Sequence, residues 1–196
     1  MARSRRRGSP PRTPPPSYAL IRACVARPLH GVFAASYPER HPDKRRQSKV
    51  VKWALELKYE DIPDAALREA KRAILDTLGT ALGAQLLKIT SVVNKFTEAS
   101  FPGSGARVWF SGLRTSALGA ALANGLITDG LDVHDTGHYT KGHAGAAIVP
   151  CAFAALNLAP GPVSGKEFLT AIVAAYEVAY RAGNAMHESV SDYHSS

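Results

Sequence analysis

Residues 53–84 read WALELKYEDIPDAALREAKRAILDTLGTALGA, and their period decides the fold. Leu67, Ala70, Ile74, Leu78 and Ala81 recur at helical spacing and fall on one apolar stripe. Arg68, Glu69, Lys71 and Arg72 lie off that stripe and are expected to face water. Pro63 fits the first turn, where its missing N–H costs nothing, and Asp64 places a carboxylate near the positive end of the helix dipole. Upstream, Val50, Val51, Ala54 and Leu57 hold the same period until Tyr59-Glu60-Asp61-Ile62 breaks it. Gly79 and Gly83 would weaken an exposed helix, so close packing against a neighbour is expected at both.

Working downstream, Leu86, Ile89, Val93 and Phe96 continue a helical period, and Phe101-Pro102-Gly103-Ser104-Gly105 ends it as a turn. Arg107-Val108-Trp109-Phe110 is short and extended in character. A loop follows, in which Thr115 or Ser116 can cap the next helix. Ala117 to Ile127 is almost wholly small and apolar, the signature of a buried helix. Ala146 to Leu158 is apolar and helical, with a kink expected at Pro150. Pro160-Gly161-Pro162 is a firm break, Ser164 and Glu167 form a capping-box pair, and Phe168, Ile172, Ala175 and Ala179 line the last helix. There is no internal repeat and no alternating strand pattern of useful length. The expected fold class is mainly α.

Charge divides the chain in two. Residues 1–48 carry ten Arg and one Lys against Glu39 and Asp43, a net +9, whereas residues 49–196 are close to neutral at −1. The overall +8 therefore describes the extension, and it gives no ground for a nucleic-acid function of the body. Met1 to Ser17, MARSRRRGSPPRTPPPS, has no apolar period and too little apolar surface to offset its ordering entropy, so residues 1–48 are expected to be a disordered basic extension. Three readings of it stand side by side: an organellar targeting segment, a basic arm for nucleic acid or anionic lipid, and an extension without function, including a start codon assigned too early. Pro10 to Pro16 sits where a twin-arginine signal would need an apolar run. No apolar run approaches the ~20 residues that span a bilayer. Cys24 and Cys151 form no metal-type spacing, and so few cysteines fit a reducing compartment, the cytoplasm unless the extension directs the chain to an organelle.

Residues 128–150, TDGLDVHDTGHYTKGHAGAAIVP, concentrate the chemistry. Asp129, Asp132, His134, Asp135, Thr136, His138, Lys141 and His143 lie between two apolar helices. Histidines and carboxylates this close together can supply acid and base near neutral pH, and Lys141 can meet a substrate carboxylate as a point charge. The plainer reading is a solvated loop in which Asp132 and Asp135 cap or turn the chain. A metal reading rests on His134, His138 and His143. Their H-x3-H-x4-H spacing matches no strong zinc pattern, so no metal is expected.

At these residues the chain resembles the MmgE/PrpD family, which includes 2-methylcitrate dehydratase and cis-aconitate decarboxylase. Residues 53–84 resemble its opening two helices, and residues 107–136, RVWFSGLRTSALGAALANGLITDGLDVHDT, resemble its next block. The loop resembles its D-x-x-D-T…H-P-G-A active-site segment. The resemblance implies that residues 49–196 form the family's N-terminal all-helical domain, left incomplete, with no C-terminal α+β lid domain in this chain. It implies a cofactor-independent lyase, a dehydratase or decarboxylase, acting on a small di- or tricarboxylate such as 2-methylcitrate or cis-aconitate. Isomerase or epimerase chemistry and a non-catalytic dimerisation remnant are the alternatives, and a homodimer is the implied assembly.

Carried over by position, Asp132, Asp135 and Thr136 match the acidic-threonine part of the motif and His143 its histidine. His143 is then the acid/base group, Asp132 its orienting or proton-transfer partner and Thr136 a hydrogen-bond donor. Asp135, Lys141 and His138 are expected to bind substrate. Two departures mark the loop: Ala144 stands where the family has Pro, and the stretch from Thr136 to His143 is one residue longer than in the decarboxylase. The end of the chain, SVSDYHSS, falls where a further family motif, Gly-x-His, would begin.

Overall fold

The computed structural model describes residues 44–137 and 140–189, and the expectations for residues 1–43, His138 and residues 190–196 lie outside them. Six α-helices carry the described fold: α1 (Lys44–Glu56), α2 (Asp64–Gly83), α3 (Lys88–Ser100), α4 (Ala117–Asp129), α5 (Ala144–Leu156) and α6 (Gly165–Ser189). The mainly-α reading holds. α1 begins at Lys44, inside the stretch assigned to the extension, because Lys, Arg and Gln are good helix formers even without an apolar face. Pro63 stands one residue earlier than expected, at the N-cap of α2.

The core has two clusters. Ala81, Ala84, Val93, Val108, Ala123 and Ile127 join α2, α3 and α4, while Ala70, Val149, Ala152 and Ile172 join α2, α5 and α6. Trp109 packs against both clusters and makes an edge-on contact with Phe153 at 5.4 Å. It is held there by a short hairpin, β1 (Ala106–Arg107) antiparallel to β2 (Arg114–Thr115), which turns at Phe110 and Gly112 with positive φ. The buried Asn124 side chain ties this hairpin to α4: Trp109 N–H donates to Asn124 Oδ1 at 2.8 Å, and Asn124 Nδ2 donates to the Arg107 carbonyl at 3.2 Å.

Both expected caps form. The Gly119 amide donates to Ser116 Oγ at 3.1 Å at the start of α4. At the start of α6, Glu167 N–H donates to Ser164 Oγ while Ser164 N–H donates to the Glu167 carboxylate at 2.8 Å.

Three local expectations fail for physical reasons. The buried face of α3 carries Thr90, Val93 and Thr97 instead of the stripe Leu86, Ile89, Val93 and Phe96. Leu86 lies in a separate 3-10 turn (Ala84–Leu86) and is 94% exposed. The break at Leu87 resets the helical phase, and the Thr90 hydroxyl can be buried because it donates to the Ala84 carbonyl at 2.6 Å. Gly79 meets no close neighbour, whereas a Cβ on Gly83 would come within 3.0 Å of Leu131.

α4 is also not buried throughout. Its core face is Gly119, Ala120, Ala123, Asn124, Ile127 and Thr128, while Leu118, Leu122 and Leu126 are exposed. The small residues let α4 and α5 form the most extensive helix contact in the described fold. Pro150 sits inside α5 without ending it. It has no N–H for the Ala146 carbonyl one turn back, and that carbonyl oxygen is the atom a Cβ on Gly125 would strike at 2.9 Å.

Candidate functional site

The loop from Gly130 to His143 connects α4 to α5, and its ends are fixed by those helices. Asp132 turns the chain with φ 51°, its amide donating to the Asp129 carbonyl at 2.9 Å. Asp tolerates this left-handed conformation better than most residues. The far side of the loop closes on itself: Gly137 N–H donates to the Gly142 carbonyl at 2.9 Å, and Lys141, at φ 48°, donates its amide to the Gly137 carbonyl at 2.7 Å. Strained non-glycine conformations of this kind persist only where surrounding contacts over-determine them.

Asp135 anchors the loop. Its carboxylate accepts the Gly145 amide at 3.0 Å, which caps the N-terminus of α5, and it accepts the Tyr176 hydroxyl of α6 at 3.0 Å. Gly145 is required at this junction, since a Cβ there would stand 2.6 Å from the Tyr176 hydroxyl. Burial, reinforced by the Asp135 charge and hydrogen bond, pushes the Tyr176 hydroxyl far above the usual phenol range, so Tyr176 acts as a donor. Tyr180, stacked on Tyr176 at 6.0 Å, is raised for the same two reasons, burial first and the Asp135 charge second.

His143 stands at the N-cap of α5 with its side chain 15% exposed. Its Nδ1 lies 2.8 Å from the Asp135 backbone carbonyl, which only accepts, so the ring proton is assigned to Nδ1. Thr136 Oγ1 lies 3.3 Å from the same nitrogen. That leaves Nε2 with its lone pair, 3.7 Å from the Asp132 carboxylate, whose side chain is 83% exposed. A base with a fixed tautomer, a nearby carboxylate and an adjacent hydroxyl can take up or deliver a proton at the protein surface.

The loop thus brings Asp132, Thr136 and His143 together. Asp135 serves them through its backbone, while its carboxylate is already occupied by α5 and α6. Lys141 is exposed on the 137–142 turn, and no described contact links it to His143. His138 lies outside the described residues. Among the described residues no group of three or more His, Cys, Asp or Glu side chains converges as a metal site would require.

Sequence reasoning named His134 in the loop without giving it a role in the site, and it missed Tyr176. His134 is fully buried and its ring lies 4.3 Å from that of His143. Tyr176 falls directly after Ala175, one of the positions expected to line α6, and its hydroxyl partner is 41 residues away in the chain.

A cavity of about 540 Å³ opens between α2 and α6 and is floored by residues 133–136. His143, Asp132 and Lys141 do not line it. Its wall carries Glu69, Asp76, Asp135 and Glu177 against Arg72, and Arg72 is itself paired with Glu69 at 3.4 Å. That balance disfavours a polyanion, whereas His143, its side chain 15% exposed, sits beside the exposed Asp132 and Thr136. Among the described residues, no helix is long and apolar enough to cross a membrane.

The profile of the MmgE/PrpD N-terminal domain matches residues 48–196. A cis-aconitate decarboxylase-like protein of Aspergillus oryzae, oryM, is 26% identical over 151 residues, which cover 74% of this chain and 31% of that protein. A cis-aconitate decarboxylase of Aspergillus terreus is 27% identical over 146 residues, 72% of this chain and 30% of that protein. The chain thus spans less than a third of the length of these relatives. No solved structure matches it significantly. With its helical architecture and a profile match that runs from residue 48 to residue 196, the chain belongs to the MmgE/PrpD family.

Proposed function

We propose that the chain is the helical part of a cofactor-independent lyase acting on a small di- or tricarboxylate of the cis-aconitate or 2-methylcitrate type. The observation that supports this best is the state of His143, with Nδ1 fixed on the Asp135 carbonyl and Nε2 free beside Asp132. In dehydration, Nε2 takes the proton next to a substrate carboxylate and hands it to the departing hydroxyl group, which leaves as water. In decarboxylation, a protonated Nε2 delivers a proton to the carbanion left by carbon dioxide. Thr136 donates to substrate oxygen by turning its hydroxyl off the His134 carbonyl, and Lys141 draws in the anionic substrate. Either carbanion-like state needs cationic or hydrogen-bonding groups around it in a site closed to water.

Among the described residues Asp132 and Thr136 are left exposed, so the wall that completes the site comes from elsewhere. The chain alone is therefore expected to bind substrate weakly and to turn it over at or near background. Calorimetric titration with cis-aconitate is expected to give a dissociation constant on the order of 1 mM, about −4 kcal/mol, and His143→Ala weakens it further. Absence of binding at tens of millimolar ligand counts against the reading. Turnover by the chain alone counts against an open, incomplete site.

A second reading, a pairing module, is favoured by the outward stripe of Leu118, Leu122 and Leu126 on α4, with Ile89 and Phe96 exposed on the adjoining α3. Exposed apolar surface arranged in this way marks an interface. If two copies pair through α4, Leu122→Lys makes a light-scattering dimer into a monomer without lowering helix content. A chain that is monomeric before the substitution sinks this reading.

A further inference from the structure

Among the described residues of the loop, His134 is the one side chain whose burial has no hydrogen-bonding explanation. Its side chain is fully buried, and neither ring nitrogen has a hydrogen-bond partner among the described residues. A buried imidazole is normally kept for the bonds its nitrogens make, and an apolar side chain would fill the same space at less cost. The ring is instead flanked on two sides. Its Nε2 lies 3.4 Å from Asp129 Oδ1 at the end of α4, outside hydrogen-bond geometry but close enough for the carboxylate to bias the ring's rotation. Its face lies against the His143 ring, with centroids 4.3 Å apart and planes inclined at 47°. The same residue reaches His143 by a second route: its backbone carbonyl accepts from Thr136 Oγ1 at 3.4 Å, the hydroxyl that also meets His143 Nδ1.

We propose that His134 is the positioning residue for His143, its buried ring forming the back wall that keeps Nδ1 on the Asp135 carbonyl and Nε2 turned out beside Asp132. Asp129 sets the rotation of that wall from the end of α4. Without the wall, His143 has room to rotate about its side-chain bonds and leave the Asp135 carbonyl. The proton then redistributes between the two ring nitrogens as it does in an unconstrained imidazole, which favours Nε2–H. This role rests on the reading of His143 as the acid/base group, but its test does not depend on turnover.

The test is the tautomer of His143 in the purified chain, read from ring ¹⁵N and ¹H signals at a pH where the ring is neutral and assigned by their loss in His143→Gln. The wild-type chain is expected to show Nδ1–H alone. His134→Ala is expected to move His143 to a mixture with substantial Nε2–H, at unchanged helix content. His134→Phe restores a flat wall and is expected to return the Nδ1–H signature. A folded His134→Ala chain that keeps the wild-type tautomer overturns the proposal. So does a His134→Phe chain that loses it, and that second variant decides the matter if the alanine variant does not fold. A tautomer that responds as expected, in a protein whose turnover later proves independent of His143, would leave the positioning role standing and remove the catalytic one.

Discussion

His143→Ala is expected to lower the turnover of cis-aconitate or 2-methylcitrate by ~10²–10⁴-fold, the usual share of a positioned acid/base group. The measurement belongs on a protein that joins this chain to the remainder of a decarboxylase relative, because the His143 face is open in the described fold. The effect is expected in kcat more than in KM, since the proton moves in the transition state, whereas the ground state is proposed to be held by Lys141 and Thr136. Thr136→Val removes one donor and is expected to cost less. Loss of KM alone in His143→Ala would make the histidine a binding group and leave the base unidentified.

Asp135→Ala is expected to act on stability. The carboxylate holds the loop to α5 through the Gly145 amide and to α6 through the Tyr176 hydroxyl. Losing two charge-assisted hydrogen bonds, one of them the cap of α5, costs roughly 2–4 kcal/mol. For a domain of this size that lowers Tm by on the order of 10 °C in a thermal melt. Asp135→Asn keeps a carbonyl acceptor and is expected to recover part of the loss, and Tyr176→Phe to lose about 1 kcal/mol. Equal melting of Asp135→Ala and the wild type would mean that the loop is held by other contacts.

The helices were legible where the periodic stripe is also the buried face. α2 is the clear case: Leu67, Ala70 and Ala81 are core, and Ile74 packs against it. Periodicity misled where polar side chains could be buried because the backbone satisfied them. Thr90 displaced Ile89 from the α3 core through its bond to the Ala84 carbonyl, and Asn124 sits under α4 because the 106–115 hairpin takes both ends of its amide. Neither bond leaves a periodic trace, since both depend on where another segment ends.

The site followed the same division. Asp132, Thr136 and His143 were legible as a motif, and the loop does gather them. That Asp135 is occupied by Gly145 and Tyr176 depends on α6 packing behind the loop, a contact between distant parts of the chain that local spacing does not carry. His134 was visible as a residue type but not as a buried ring, because its burial depends on how the loop folds against His143.

The most direct test of the account is where cis-aconitate sits on the chain. Residue-by-residue NMR titration is expected to shift the signals of Asp132, Thr136 and His143 together, and to leave those of Arg72, Asp76 and Glu177 in place. Shifts concentrated on Arg72, Asp76 and Glu177, with His143 unmoved, would place the ligand in the cavity between α2 and α6 and contradict the assignment of the site to the His143 face.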